Sequence, residues 1–321
     1  MISDIPARCS ILLSTYRSDS FLAEWIRSIR QQTIWPDLEV IIVANEPSTK
    51  EKELLSDFAR IIPGRIHWET VSRESLYRSW NRAIERSSAP LLAIGNADDL
   101  RFPDSLQQQI EAMESHEKAL FCYGPFFTSS FFPDLPDPDS TNRLVPVPAY
   151  DPVEFTRSMC LGPFLVWRKN ASPSTRFFDE QFQSGGDFDF TIRLALHGHG
   201  IRMDKPLGCY YNAGLGLSTG SSLQPIERTV IELRYGIYDK IDYRWAAKAS
   251  RYNILNLLHQ GEWLPVRQFV PDYDHFLDQR YDQWHRKGIS RFMRRLLIEK
   301  MLFLNSIRCL KQQIRKHHLN S

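Results

Sequence analysis

Two adjacent carboxylates, Asp98 and Asp99, follow an apolar segment, 91–94, that is typical of a buried β-strand. Neighbouring carboxylates repel each other, and a divalent cation such as Mg²⁺ or Mn²⁺ relieves the repulsion because it binds carboxylate oxygens and keeps sites for phosphate. The pair would equally suit an acidic turn that caps the helix expected near Pro103. The spacing alone therefore leaves a metal site and a helix cap open in equal measure.

A third carboxylate, Asp187, follows Gly185 and Gly186 at the start of a predicted helix. Glycines let the backbone approach a ligand closely. The helix dipole should stabilise the Asp187 anion and hold its pKa down, which suits a general base that is ionised at neutral pH. On this segment alone a plain N-cap is the favoured interpretation.

Several other kinds of site have no candidate in the sequence. It contains no G-x-G-x-x-G after its first strand, no P-loop and no G-x-S-x-G, which disfavours the usual dehydrogenases, P-loop enzymes and α/β-hydrolases. The five cysteines are scattered and never spaced as C-x-x-C, as in a reduced, cytosolic protein. Neither a cleaved signal nor an apolar run of about 18–20 residues is evident, so we expect a cytoplasmic protein.

The elements that must position these carboxylates alternate along the first 125 residues. Helical patterns separate strand-like segments at 10–13, 38–43, 65–71, 91–94 and 120–127. Ser18 or Ser20 could cap the first helix, Ser48 and Glu51 form a capping box, and Ser75 begins a later helix. The alternation predicts an α/β fold with a parallel sheet and helices on both faces, and ligands of such sheets bind at the carboxyl ends of the strands.

The second half of the chain is less regular. Six prolines in 131–152 predict a long loop or flap, and strand-like sequence resumes at 164–167. Residues 226–260 and 289–316 look helical. We therefore expect a catalytic domain over 1–220 and a helical C-terminal region over 221–321.

Charge divides the chain in the same way. Residues 1–220 carry a net charge of −6 and residues 221–321 a net charge of +8, with ten basic residues in 286–321. This tail predicts a basic amphipathic helix that either packs on the catalytic domain, the slightly favoured interpretation, or lies on the inner face of a membrane. Nucleic-acid binding is not expected, because no recognised nucleic-acid module accompanies the basic residues.

Several segments, in order over about residues 8–220, resemble glycosyltransferase family 2, which has the Rossmann-like GT-A fold with a mostly parallel sheet. These segments are 10–17, 32–33, 38–43, 80–84, 96–99, 162–169, 178–180 and 186–187. The resemblance implies an inverting enzyme that moves a sugar from a nucleotide-diphosphate sugar to the hydroxyl of a saccharide or lipid-linked acceptor.

The resemblance also implies roles for individual residues. Asp98, with Asp99 beside it, would bind the Mg²⁺ or Mn²⁺ that bridges the diphosphate, and Asp187 would be the catalytic base. The other residues expected to contact the nucleotide-sugar are Thr15, Tyr16, Arg17, Glu46, Asn81 and Asn96.

Four departures from the family pattern indicate a divergent subgroup, of the bacterial surface-polysaccharide type. Asn45–Ser48 replaces D-D-G-S, Asn96 replaces the first motif aspartate, Gly186 replaces a frequent glutamate, and Trp80 replaces arginine. Two alternatives stay open. A nucleotidyltransferase would need a Gly- and Arg/Lys-rich loop where residues 14–18 stand, and a non-catalytic glycan- or membrane-binding relative would leave Asp187 without a role.

Overall fold

The computed structural model describes residues 6–139, 143–170, 175–212, 223–235, 256–259 and 262–265. The helices are α1 (Leu22–Arg30), α2 (Thr49–Ile61), α3 (Leu76–Arg86), α4 (Ser105–Ser115), α5 (Pro152–Arg157), α6 (Gly186–His197) and α7 (Gln224–Tyr235). The strands are β1 (Cys9–Thr15), β2 (Leu38–Asn45), β3 (Ile66–Val71), β4 (Leu91–Asn96), β5 (Leu100–Arg101), β6 (Ala119–Tyr123), β7 (Phe126–Ser129), β8 (Leu144–Val145), β9 (Val166–Arg168), β10 (His199–Arg202), β11 (Gly208–Tyr211), β12 (Asn256–His259) and β13 (Glu262–Pro265).

A seven-stranded sheet in the order β10-β6-β9-β4-β1-β2-β3 forms the centre of the molecule. Its strands pair in parallel except β9, which is antiparallel to β4 and to β6. Residues of β1, β2 and β4 are buried on both faces by the helices, as their continuous apolar sequences require. The predicted α/β fold with a mostly parallel sheet is confirmed.

A smaller sheet, β5-β11-β7-β8, extends from the main one. The predicted strand 120–127 is divided by Gly124 and Pro125 into β6, in the large sheet, and β7, in the small one. Pro125 has no N–H to contribute to a ladder, which favours the break. Within the proline-rich 131–152 segment the described residues include the two-residue strand β8, which pairs with β7.

Two of the predicted helix caps are present and one is not. Ser48 and Glu51 form the reciprocal capping box of α2, and the Ser75 hydroxyl accepts a hydrogen bond from the Arg78 N–H of α3. The N-cap of α1 is Phe21, with no side-chain cap, so the prediction of Ser18 or Ser20 is wrong. The Ser18 N–H instead donates to the Glu51 carboxylate at 2.7 Å, because Glu51 lies under the loop that follows β1.

Helix α7, beyond residue 220, packs into the same core as α6. Val230 and Ile231 are fully buried. The buried Arg234 side chain pairs with Asp179, at 2.6 Å, and with Asp189 of α6. Residues on either side of position 220 therefore belong to one packed unit.

Helix was the wrong prediction for part of the C-terminal segment. Strands β12 and β13 form an antiparallel pair at 256–259 and 262–265, within or just beyond the segment 226–260 that was expected to be helical. In sequence, two residues including Gly261 separate these strands, a short-hairpin signal that competes with the helical pattern. The predicted helix 289–316 and the basic tail 286–321 lie outside the described residues. Among the helices in the described ranges, none is both long and apolar enough to cross a membrane.

Candidate active site

A cavity of about 1150 Å³ opens at the carboxyl ends of β1 and β4. Its wall includes Tyr16 and Arg17 after β1, Asn96 and Asp98 at the end of β4, and Asp187 in the first turn of α6. These five predicted site residues come from segments up to 171 positions apart in sequence. The sheet brings them together, because the ends of parallel strands meet at one edge.

The loop after β1 is fixed by hydrogen bonds rather than by apolar packing. The Tyr16 N–H donates to the Ser18 hydroxyl at 3.2 Å, and the Ser18 N–H is bound by Glu51. Arg17 has a φ of +53°, in the left-handed region. The capping box of α2 therefore also holds the backbone that presents Tyr16 to the cavity.

A cationic and aromatic surface lines this end of the cavity. The Arg73 guanidinium carbon lies 3.3 Å from the centre of the Tyr16 ring, and that of Arg17 lies 5.1 Å from it. Arg73 follows β3 and borders the cavity, although no sequence motif pointed to it as a site residue. The available signal was its position two residues past a strand, at the sheet edge where ligands bind.

Three residues that were expected to contact the nucleotide-sugar do not border this cavity. Thr15 is fully buried, and its neighbour Ser14 lines the cavity instead. Glu46 is exposed outside the cavity, with a φ of +47°. Asn81 binds the backbone of Phe178 through both its amide and carbonyl groups, at 2.9 and 2.8 Å, and so joins α3 to the segment before α6.

Asp98 and Asp99 occupy different environments although they are adjacent. Asp98 borders the cavity, whereas Asp99 is buried and is not part of the cavity wall. The Asp99 carboxylate accepts hydrogen bonds from the Asn96 amide at 2.7 Å and from the Tyr211 N–H at 3.2 Å. Asn96, where the related pattern has aspartate, thus supplies a donor to Asp99 in place of a further negative charge.

Burial makes both carboxylates costly to ionise. It raises the pKa of Asp98, and together with the neighbouring Asp98 charge it raises the pKa of Asp99 well above its usual range. A divalent cation stabilises the ionised form of a buried carboxylate. Asp98 therefore fits a metal that takes one carboxylate from the protein and its other oxygen ligands from a bound substrate. In the ranges that the structure describes, no group of three or more His, Cys, Asp or Glu could hold a metal by itself.

Asp187 differs from the prediction in its ionisation. Burial raises its pKa from 3.8 to about 6, although the Phe188 N–H and the Tyr77 hydroxyl, which hydrogen-bond to Oδ1 at 2.8 and 3.4 Å, act in the opposite direction. The expectation that the helix terminus would hold this pKa down is therefore wrong, because desolvation outweighs the helix N–H groups. A carboxylate with this pKa is still mostly ionised at neutral pH and is a stronger base than an exposed aspartate.

The far wall of the cavity, around Asp187, is largely apolar. It includes residues 145–148 of the proline-rich segment, Met159, Cys160 and Leu161 after α5, and Phe190 of α6. The polar residues that line the cavity on this side include Glu154, Ser158, Gln183, Ser184 and Thr191. The cavity thus has a cationic end near Tyr16 and an apolar end near Asp187.

Comparison with known proteins finds a family similarity for part of this chain. Residues 10–160 match the model of Glycosyl transferase family 2. An uncharacterised glycosyltransferase of Methanocaldococcus jannaschii is 28% identical over 109 residues, which cover 33% of this chain and 37% of the relative. The alignment thus spans little more than a third of that relative's length.

Solved structures share the fold over a larger part of the chain. The 1–349 fragment of S. aureus TarS aligns with a TM-score of 0.54 and 13% identity, covering 77% of this chain and 72% of TarS 1–349. The same fragment in complex with UDP-GlcNAc aligns with a TM-score of 0.58 and the same identity and coverage. These similarities show a GT-A fold, within which residues 10–160 are similar to Glycosyl transferase family 2.

Proposed function

We propose that this protein transfers a sugar from a nucleotide-diphosphate sugar to an acceptor hydroxyl, with inversion at the anomeric carbon. The observation that carries the proposal is that one cavity is bordered by Asp98 and the Tyr16–Arg17 surface on one side and by Asp187 on the other. The family match supports the class of reaction. The TarS fragment in complex with UDP-GlcNAc supports a nucleotide-sugar as the substrate of this fold.

The nucleotide-sugar would bind at the cationic end. Tyr16 borders this end, and Arg73, which lies over the Tyr16 ring, supplies positive charge there together with Arg17. A guanidinium group suits phosphate oxygens because it can donate two parallel hydrogen bonds. Asn96 borders the same part of the cavity, next to Asp98.

Asp98 would hold Mg²⁺ or Mn²⁺ against the diphosphate of the nucleotide-sugar. When bound, the cation would stabilise the charge that develops on the departing nucleoside diphosphate. Asp99 would lie beside Asp98 without touching the cation, since it does not border the cavity and its oxygens accept hydrogen bonds from Asn96 and Tyr211.

Asp187 would act as the general base. Its carboxylate would accept the proton of the acceptor hydroxyl while the acceptor oxygen attacks the anomeric carbon and the bond to the nucleoside diphosphate breaks. The apolar wall next to Asp187 would contact the acceptor and limit the access of water to the reacting carbon. Such a wall favours an acceptor with an apolar face, and saccharides and lipid-linked saccharides have one. A role in surface-polysaccharide synthesis fits these acceptors.

The test is a calorimetric screen of UDP-, GDP-, dTDP- and CMP-sugars with and without Mn²⁺. Asp98→Asn should remove the Mn²⁺-dependent part of the binding, whereas the exposed Asp104→Asn should not. Asp187→Asn should retain nucleotide-sugar binding and lose nearly all transfer. Binding that is unchanged in Asp98→Asn would refute the metal assignment, and full transfer by Asp187→Asn would refute the base.

A further inference from the structure

Tyr77 occupies the space that a side chain at position 186 would fill. A Cβ built on Gly186 would lie 2.7–2.8 Å from three atoms of the Tyr77 ring, closer than such atoms approach in proteins. The ring is 2% exposed, stacks on Phe178 at 5.8 Å and meets the edge of Trp80 at 5.9 Å. Its position is therefore fixed by packing, and the glycine at 186 is what allows it.

The Tyr77 hydroxyl is directed at the proposed base. It donates a hydrogen bond to Oδ1 of Asp187 at 3.4 Å, across 110 positions of sequence. The Phe188 N–H donates to the same oxygen at 2.8 Å. Asp187 itself borders the cavity.

Glu227 of α7 holds the loop that leads into Asp187. Its carboxylate accepts hydrogen bonds from three consecutive N–H groups, those of Gln183, Ser184 and Gly185, at 2.8, 2.8 and 2.7 Å. Glu227 is 1% exposed. Three converging N–H donors on one buried carboxylate fix the path of the backbone just before α6.

We propose that Tyr77 and Glu227 are positioning residues for Asp187: Tyr77 orients its carboxylate, and Glu227 fixes the loop that carries it. This inference rests on the proposed role of Asp187 as the base. It assigns a part in catalysis to α3 and to α7, and α7 lies outside the segment that matches the family model. Neither residue touches the reacting atoms, and both act through Asp187.

The two residues act on the charge of Asp187 with opposite sign. The Tyr77 hydrogen bond lowers the pKa of Asp187, and the negative charge of Glu227 raises it. The other ionisable groups that border the cavity around Asp187 include Glu154 of α5, with Asp98 on the opposite wall. Since the two variants leave those groups in place, opposite shifts are the signature of the proposed arrangement.

The experiment measures the titration of Asp187 by NMR in protein labelled with ¹³C at the aspartate carboxyl groups. Loss of one signal in Asp187→Asn assigns the resonance. We expect Tyr77→Phe to raise the pKa of Asp187 and Glu227→Gln to lower it. We also expect kcat to fall by about 10- to 100-fold in each variant, with KM for the nucleotide-sugar changed less than about 2-fold.

Two matched variants separate positioning from general damage. The Tyr150 hydroxyl donates hydrogen bonds to the carbonyls of Ala195 and Gly198 at the other end of α6, so Tyr150→Phe removes a tyrosine hydroxyl that contacts the same helix far from Asp187. Glu232→Gln removes a carboxylate from α7 that pairs with Arg228 instead. Both should leave the Asp187 titration and kcat unchanged.

The outcomes are decisive in either direction. An Asp187 titration that is unmoved in Tyr77→Phe, or that shifts alike in both test variants, would overturn the proposal. If Glu227→Gln does not fold, Tyr77→Phe decides alone, because it keeps the packed ring. Opposite titration shifts in a protein that transfers no sugar from any of the four nucleotide-sugars would support the positioning and refute the proposed function.

Discussion

Replacing the proposed catalytic base should stabilise the protein. Asp187→Asn removes a carboxylate whose pKa burial raises from 3.8 to about 6, and the amide oxygen can still accept hydrogen bonds from the Phe188 N–H and the Tyr77 hydroxyl. At about 1.36 kcal/mol per pKa unit, this shift corresponds to roughly 3 kcal/mol of destabilisation by the ionised form. Because Asp187 is partly exposed to the cavity, we expect about 1–3 kcal/mol of stabilisation at pH 8.

The sign of the effect follows from proton linkage. The folded state binds the Asp187 proton more tightly than the unfolded state does, so the wild type bears no penalty below pH 3.8. The penalty grows as the pH rises and is complete above about pH 6. The stability difference between Asp187→Asn and the wild type should therefore be largest at pH 8 and should shrink toward pH 4.

Urea unfolding of both proteins at a series of pH values measures this difference. The exposed Asp57→Asn is the control, and its stability relative to the wild type should not vary in the same way with pH. An Asp187→Asn protein that is less stable than the wild type at pH 8, or that differs from it by a constant amount at every pH, would refute the reasoning. The result would also separate the demands of stability from those of catalysis at one residue.

Four further measurements test other parts of the structure. Below about pH 6, kcat should fall close to tenfold per pH unit as Asp187 becomes protonated; a flat profile from pH 8 to pH 5 would contradict its role as base. Arg234→Met should lower the free energy of unfolding by about 3–5 kcal/mol because it leaves the buried Asp179 without a cation and Asp189 with Arg193 alone; urea unfolding would show this, and a loss below about 1 kcal/mol would be inconsistent with it. Gly186→Ala should lower stability by about 1–3 kcal/mol in the same assay, since its Cβ must displace the Tyr77 ring; an unchanged midpoint would mean that the ring moves freely. Arg73→Ala should weaken nucleotide-sugar binding about 10-fold in calorimetry, and unaltered affinity would remove Arg73 from the site.

The predictable part of this molecule was local. The alternating pattern that gives a parallel sheet lies in short segments, and so does the position of Asp98 at the end of a strand. The capping box at Ser48 and Glu51 was predictable for the same reason, because both partners lie within one turn. Such features need no knowledge of how distant segments meet.

Features that depend on long-range contacts could not be predicted. Ser14 borders the cavity and Thr15 does not, and this difference follows only from how the sheet packs. The pKa of Asp187 depends on desolvation by surrounding segments, so the helix terminus alone predicted the wrong direction. A buried tyrosine in the first turn of α3 looks like an ordinary core residue until α6 is packed against it.

The pairing of Arg234 with Asp179 and Asp189 has a consequence for how the chain can be divided. Helix α7 supplies a cation to two buried carboxylates on the other side of residue 220, and Asp179 has Arg234 as its partner while Asp189 also pairs with Arg193. A fragment that ends at 220 would keep every residue of the family match and still leave both aspartates without that cation. We therefore expect the smallest independently folding form of the protein to extend at least through Arg234, with α6 and α7 protected from hydrogen exchange together, as one cooperative unit.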